Sequence, residues 1–338
     1  MEHYHIYHNR IPDFLYECIE TPMIQRIKSV GMNCGCEYTA FPQFADLDSY
    51  SRYDHSLGVA LIVWHFTHDC KQTIAGLLHD VATPVFAHVV DFMHGDYLKQ
   101  ESTEDGTERM IAGSAELQAV LRKHGLTTED VGDYHRYPIA DNDSPRLSAD
   151  RLEYTIGNSV NYKICTIKEA QDFYNDLAIG RNEDGNEELV FQNARIAEAF
   201  AKAALACSAV YVSDADRYAM QILSEVLRYA IEHHVLREED LYSTEPAVIG
   251  KLLSEERTAS LWNGFRAYRR ITSASQPSAA GYWRKIAAKK RYIDPLVQGK
   301  GRISHLSPSF ADRLRAFQKN DYDYWVCGHP ALSTPPIG

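Results

Sequence analysis

The chain is 338 residues long, 45% hydrophobic and 24% charged, with a formal net charge of −11 at pH 7. That charge argues against a general affinity for DNA or acidic membrane surfaces, and nucleic acid is not an expected partner. No apolar run approaches the ~18 residues of a membrane span. The seven cysteines form no disulfide framework, and Cys34-x-Cys36 has no second pair to complete a zinc site, so they read as reduced thiols of a cytoplasmic protein.

From the amino terminus, "MEHYHIYHNRIP" has neither the basic nor the apolar region of a signal peptide, and His3, His5 and His8 read as a packed or frayed terminus. "PDFLYECIETPMIQRIKSVG" gives two short helical patterns split at Thr21-Pro22. "DHSLGVALIVWHFTHD" is apolar almost all round, which predicts a helix at the centre of the molecule. "KQTIAGLLHDV" carries Ile74, Leu77, Leu78 and Val81 on one helical stripe; Thr83 is then expected to cap a helix starting at Pro84. Further helices are predicted for "SAELQAVLRKHG", for "SADRLEYTIGNSVNY" from a Ser148 cap, and from Ala194 to His234. Asp184-Gly185 between two β-like stretches predicts a small hairpin. The expected architecture is an all-α fold, with residues 1–175 as a core and 176–338 as a mostly helical region packed on it.

The chemistry centres on His79-Asp80. Ionisable groups in an apolar segment are costly unless paired or bound to metal. Ala75 and Gly76 are small and would let a second helix approach. His55 opens the central apolar helix and Asp150 lies in the first turn of "SADRLEY". Two imidazoles and two carboxylates suit one divalent transition metal, Mn, Fe, Ni, Co or Zn, which would lower the pKa of a coordinated water. His68-Asp69 is a second histidine-aspartate pair, but at a helix end, where histidine complements the helix dipole.

In order, "RYDHSLGV", "LLHDVATPVFAH" and "SADRLEY" resemble the HD-domain metal-dependent phosphohydrolases. The likeness covers roughly residues 10–165. It extends to "IETPMIQRIKSVG" and "YTAFPQF", which are similar to the deoxynucleoside-triphosphate triphosphohydrolase branch. The resemblance implies an HD-domain helical bundle, a single metal held by His55, His79, Asp80 and Asp150, and hydrolysis of a phosphate ester or anhydride. It also implies phosphate or substrate contacts from Arg52, His88, Arg151 and Tyr154. The sequence departs from that branch at Ala82 and Thr83, where a glycine-histidine pair is usual. It departs again in "KQESTEDGTERM", where the branch has a catalytic histidine-glutamate. Glu104 aligns with the acidic half of that motif and, with His88, is a candidate for proton transfer.

"GYWRKIAAKKRYIDP" gathers Arg284, Lys285, Lys289, Lys290 and Arg291 between aromatic residues. A solvated helix face is the expectation, with contact to substrate phosphates as the alternative. The leading functional reading is a cytoplasmic phosphohydrolase acting on a nucleotide, such as a deoxynucleoside triphosphate. The alternatives are a phosphomonoesterase on nucleoside monophosphates or other small phosphates, and a nucleotide-binding module without turnover. A homo-oligomer is compatible with all three.

Overall fold

The computed structural model describes residues 6–7, 10–95 and 106–330. Its axis is the helix Arg52–Thr67, started by a capping box in which the Ser51 hydroxyl accepts the Asp54 N–H and the Asp54 carboxylate accepts the Ser51 N–H. Every residue from His55 to Val63 is buried, as the unbroken apolar run requires. The helix Cys70–Leu78 packs beside it, and Gly76 makes the approach close: an added Cβ would sit 3.3 Å from Val59. Between the two helices, His68 takes a left-handed terminal conformation at φ 50°, and Asp69 accepts the N–H groups of Lys71 and Gln72. This second histidine-aspartate pair is therefore a turn that ends one helix and caps the next.

The helix Ala149–Asn161, capped by Ser148 as expected, crosses the central helix from the other side. The helices Ala194–Tyr211 and Asp214–Glu232 follow, as predicted. One buried apolar cluster joins the amino-terminal helices to residues 170–204 and 293–314. A second joins residues 30–44 and 85–93 to residues 215–265, Ile286 and Val326. Both cores thus draw on segments from either side of residue 175. All seven cysteines are unpaired, and no single helix among the described residues is long and apolar enough to cross a membrane.

The fold is mostly helical and not all-α. The expected hairpin is present, Leu177–Arg181 pairing with Glu187–Phe191, with Gly185 at φ 80° in its turn. Leu296–Val297 and Gly301–Arg302 extend it to four strands. A second sheet places Trp325–Pro330 between Tyr268–Ala274 and Trp283–Lys285. The basic-aromatic segment expected to be helical therefore begins as an edge strand and continues without helix to residue 295. Here tertiary pairing overrides a composition rich in lysine, arginine and alanine, whose helical preference is weak evidence in a short window.

Two further expectations fail locally. The helix carrying the histidine-aspartate pair stops at Leu78, so His79 caps it and Asp80 lies in the turn beyond. No helix starts at Pro84; residues 84–88 form a turn with Phe86 at φ 59° and Ala87 at φ 45°, and the next helix is Val89–His94. Thr83 does not cap it, because its hydroxyl donates to Asp80 Oδ1 at 2.8 Å.

Candidate metal centre and substrate cavity

The four residues expected to share a metal come together from three helices and a turn. His55 Nε2 lies 3.2 Å from His79 Nε2, 3.1 Å from Asp150 Oδ1 and 3.8 Å from Asp80 Oδ2. His79 Nε2 lies 3.7 Å from Asp80 Oδ2 and 3.8 Å from Asp150 Oδ1. Ligands ~2.0–2.2 Å from one ion stand roughly 3 Å apart or more, so these spacings suit a cation shared by His55, His79 and Asp80, with Asp150 beside the two imidazoles. His79 keeps helical dihedrals at the helix end, φ −57° and ψ −35°, and from there the Asp80 carboxylate reaches the same space as its imidazole.

The chemistry of the donor atoms fits a cation as well. His79 Nδ1 is 2.7 Å from the Gly76 carbonyl and His55 Nδ1 is 2.5 Å from Glu153 Oε2. Each partner is an acceptor, so each Nδ1 carries the proton and each Nε2 keeps its lone pair. Two lone pairs then face each other across 3.2 Å, an arrangement stable only with a positive charge between them or a proton on one. Burial lowers the pKa of His55, but its bonds to Asp150 and Glu153 outweigh that effect and hold it at about 10. Asp80, Asp150 and Glu153 bring three negative charges, and Arg52, bonded to Asp80 Oδ2 at 2.9 Å, returns one. With neutral imidazoles a divalent cation balances the remainder.

Glu153 is not anticipated from the sequence. It is fully buried and also accepts from the hydroxyls of Tyr50 at 2.5 Å and Tyr7 at 3.3 Å. The available signal is its position one helical turn after Asp150. Burial favours the neutral form of Asp150, yet His55 and the other nearby cations hold it down at about 2. Burial acts the same way on Asp80, and Arg52, His79 and His55 together keep its carboxyl well below the usual range.

Three of the metal-ligand candidates, His79, Asp80 and Asp150, line a cavity of about 520 Å³ that Arg52, His88, Arg151 and Tyr154 also line. Along the helix Ala149–Asn161, Asp150, Tyr154 and Asn158 follow at four-residue steps, and Tyr162 continues the series just beyond it. That row runs ~18 Å from the metal end. His88 Nδ1 bonds Asp91 Oδ2 at 2.9 Å, and Asp91 is fully buried. Burial lowers the His88 pKa, Asp91 opposes this, and Arg291 and Arg52 lower it further. With Nδ1–H given to Asp91, Nε2 is the atom free to accept a proton. Arg151 is bound to the 141–146 loop: to Asp141 at 3.0 Å, to Asn142 Oδ1 at 2.6 Å and to the Arg146 carbonyl at 2.7 Å. Arg52 keeps a buried Nε with no partner. Glu104, and with it Glu101 and Asp105, lies outside the described residues, as do His3, His5 and His8.

No family model matches the chain. It is 27% identical over 253 residues to the uncharacterized protein YdhJ of Bacillus subtilis, covering 72% of each chain. It is 22% identical over 289 residues to the metal-dependent phosphohydrolase cns2 of Cordyceps militaris, covering 85% of this chain and 81% of that one. Among solved structures it superposes on a hypothetical protein from Aquifex aeolicus with a TM-score of 0.66 and 18% identity, covering 94% of this chain and 93% of that one. It superposes on a phosphohydrolase from Bacteroides thetaiotaomicron with a TM-score of 0.63 and 13% identity, covering 96% and 97%. The chain shares its fold with both structures over nearly their full lengths.

Proposed function

We propose that the chain is a metal-dependent phosphohydrolase of the HD-domain superfamily acting on a nucleotide. The observation that carries this reading is the meeting of His55 and His79 through facing Nε2 atoms, with Asp80 and Asp150 beside them, at one end of a substrate-sized cavity. The phosphohydrolase names of the Cordyceps and Bacteroides proteins support the superfamily. When bound, the metal would supply an activated water and polarise the phosphoryl group. The chain's own residues do the rest. Glu153 and the Gly76 carbonyl fix the two imidazoles, and Arg52, which lines the cavity beside Asp80, brings a guanidinium to the phosphate. His88, oriented by Asp91, accepts or returns a proton through Nε2. Away from the metal end, Tyr162 and Tyr211, with Asn158, supply the aromatic rings and amide that a nucleoside needs, and Tyr154 lies between them and Asp150.

The phosphomonoesterase reading is favoured by one feature: next to the metal end Arg151 is held by the 141–146 loop and Arg52 is shared with Asp80, which leaves Arg291 as the one cavity arginine without a protein partner among the described residues. The deciding experiment is hydrolysis of a nucleotide panel by protein loaded separately with Mn, Fe, Co, Ni and Zn, with product identification. Tripolyphosphate identifies a triphosphohydrolase and inorganic phosphate from monophosphates a monoesterase. Absence of any phosphate release with every metal refutes the hydrolase reading.

A further inference from the structure

Among the described residues, Arg52, Arg151, Arg217 and Arg291 are the arginines that line the cavity. Three are engaged by the protein. Arg52 pairs with Asp80 at 2.9 Å, Arg151 with Asp141 at 3.0 Å, and Arg217 with Asp214 at 2.6 Å and the Val212 carbonyl at 3.1 Å. Neither neighbouring lysine is free, Lys290 donating to the Gln318 carbonyl at 2.6 Å. Arg291 is half-buried and makes no hydrogen bond or ion pair among the described residues. Its charge nevertheless bears on the titration of His88, Tyr154 and Asp216, beside the larger effect of burial on each.

The segment that delivers Arg291 is held at both ends. At one, Ile286 is buried and its carbonyl accepts from Arg217. At the other, Ile293 is buried, the Asp294 N–H donates to the Pro145 carbonyl at 2.9 Å, and the Asp294 carboxylate accepts the Ser304 N–H at 2.9 Å. Residues 287–292 therefore cross the cavity as a fixed wall. Holding a partly desolvated guanidinium there without a protein acceptor costs free energy that an anionic ligand would return.

We infer that Arg291 is a substrate-binding residue that takes a phosphate oxygen from the carboxy-terminal wall of the cavity, so that the region beyond residue 176 completes the site. The inference rests on the reading that the cavity takes a phosphorylated substrate. Arginine suits the task better than lysine because its planar fork meets two oxygens of one phosphate.

The test compares wild type with Arg291→Gln and Arg291→Lys in metal-loaded protein, reading KM, kcat, metal content and the affinity for inorganic phosphate. A hydrogen bond to a charged group supports a rise in KM and a loss of phosphate affinity of roughly 10- to 100-fold for Arg291→Gln, with smaller changes for Arg291→Lys and metal content unchanged. Lys285→Ala, which removes an exposed cation paired with Asp323 on the same segment, should match wild type. If circular dichroism shows Arg291→Gln unfolded, Arg291→Lys decides. Unchanged KM and phosphate affinity in the folded variants overturn the inference while leaving a hydrolase that works. Phosphate binding that depends on Arg291 in a wild type without turnover overturns the hydrolase reading while leaving the inference. A wild type that neither binds phosphate nor hydrolyses any ester overturns both.

Discussion

The two ends of the cavity are built in opposite ways. At the metal end three of the four candidate ligands are held a second time by the protein: His55 by Glu153, His79 by the Gly76 carbonyl, Asp80 by Arg52 and Thr83. At the carboxy-terminal wall the backbone is fixed but Arg291 has no protein partner among the described residues. A site that must place a small cation gains from orienting its ligands before the ion arrives, because ordering them afterwards would subtract from its affinity. A site that must bind and release a substrate gains from leaving a charge unsatisfied until the substrate comes.

If that contrast is right, damage at the metal end should cost far more than damage at the wall. The largest effect is expected for Asp80→Ala, with loss of most bound metal by elemental analysis and activity reduced more than ~100-fold, beyond the usual scale for residues that only orient ligands. The same change leaves Arg52 as a buried unpaired cation. Breaking a buried pair in this way costs about 3–5 kcal/mol, so unfolding should be followed in parallel. Asp80→Asn, which keeps shape and an acceptor, should lose metal with a smaller loss of stability. Full metal content in folded Asp80→Ala would remove Asp80 from the metal site.

Next in size is Glu153→Gln. It keeps the volume and an acceptor oxygen but removes the charge that holds the His55 proton on Nδ1. A 10- to 100-fold fall in metal affinity is expected, roughly the range typical of such partners. Metal titration followed by calorimetry checks it, and unchanged affinity would reduce Glu153 to a packing role.

The same contrast shows what the sequence reveals. The two histidines, the two aspartates and the central helix are legible because they leave local marks: ionisable residues in apolar runs, a serine cap, a continuous hydrophobic stretch. The break at Leu78 is not legible, since the apolar stripe runs on to Val81, and the bonds that Arg52 and Thr83 make to Asp80 in the turn come from contacts no local pattern shows. Glu153 reads as an ordinary charged position in a helix until its burial against Tyr7 and Tyr50 is seen. The second sheet depends on pairings between residues 40 or more positions apart, which no local pattern encodes. Arg291 stands within a basic cluster in the sequence, but only the path of residues 287–292 separates it from the lysines beside it.

Smaller effects should separate the two arginines that the family resemblance treats alike. Arg52→Lys keeps a charge beside Asp80 but loses the fork, so KM on an active substrate should rise roughly tenfold, the scale of one charged hydrogen bond. Arg151→Ala removes bonds to the 141–146 loop instead. Its main effect should be a lower unfolding temperature, with a smaller rise in KM. A reversed pattern, with Arg151 dominating KM and Arg52 dominating stability, would show that these bonds rearrange when substrate binds.

The last effect is read in the pH dependence of stability and not in activity, and tests the region between the two ends, where Asp216 faces the cavity with a buried carboxyl whose hydrogen-bond partner is the Cys36 thiol at 3.7 Å. Burial raises its pKa to about 8, against the opposing influence of Cys36, Arg217 and Arg291. The unfolded chain releases this proton near pH ~4, whereas the folded chain keeps it until about pH 8. Between those values the folded state binds more protons, so this group makes stability fall as pH rises. One proton limits the slope to about 1.4 kcal/mol per pH unit. Glu37, whose pKa burial and Glu245 raise to about 8, and Glu245, raised mainly by burial, act in the same direction and persist in a variant. Asp216→Asn cannot ionise, so the variant should lose less stability than wild type between about pH 5 and pH 8 at fixed ionic strength. Denaturant unfolding at several pH values measures the difference. Parallel curves for the two proteins would mean that Asp216 ionises in the folded state as readily as in the unfolded chain, and a carboxylate would then share the cavity with Arg291 before any ligand arrives.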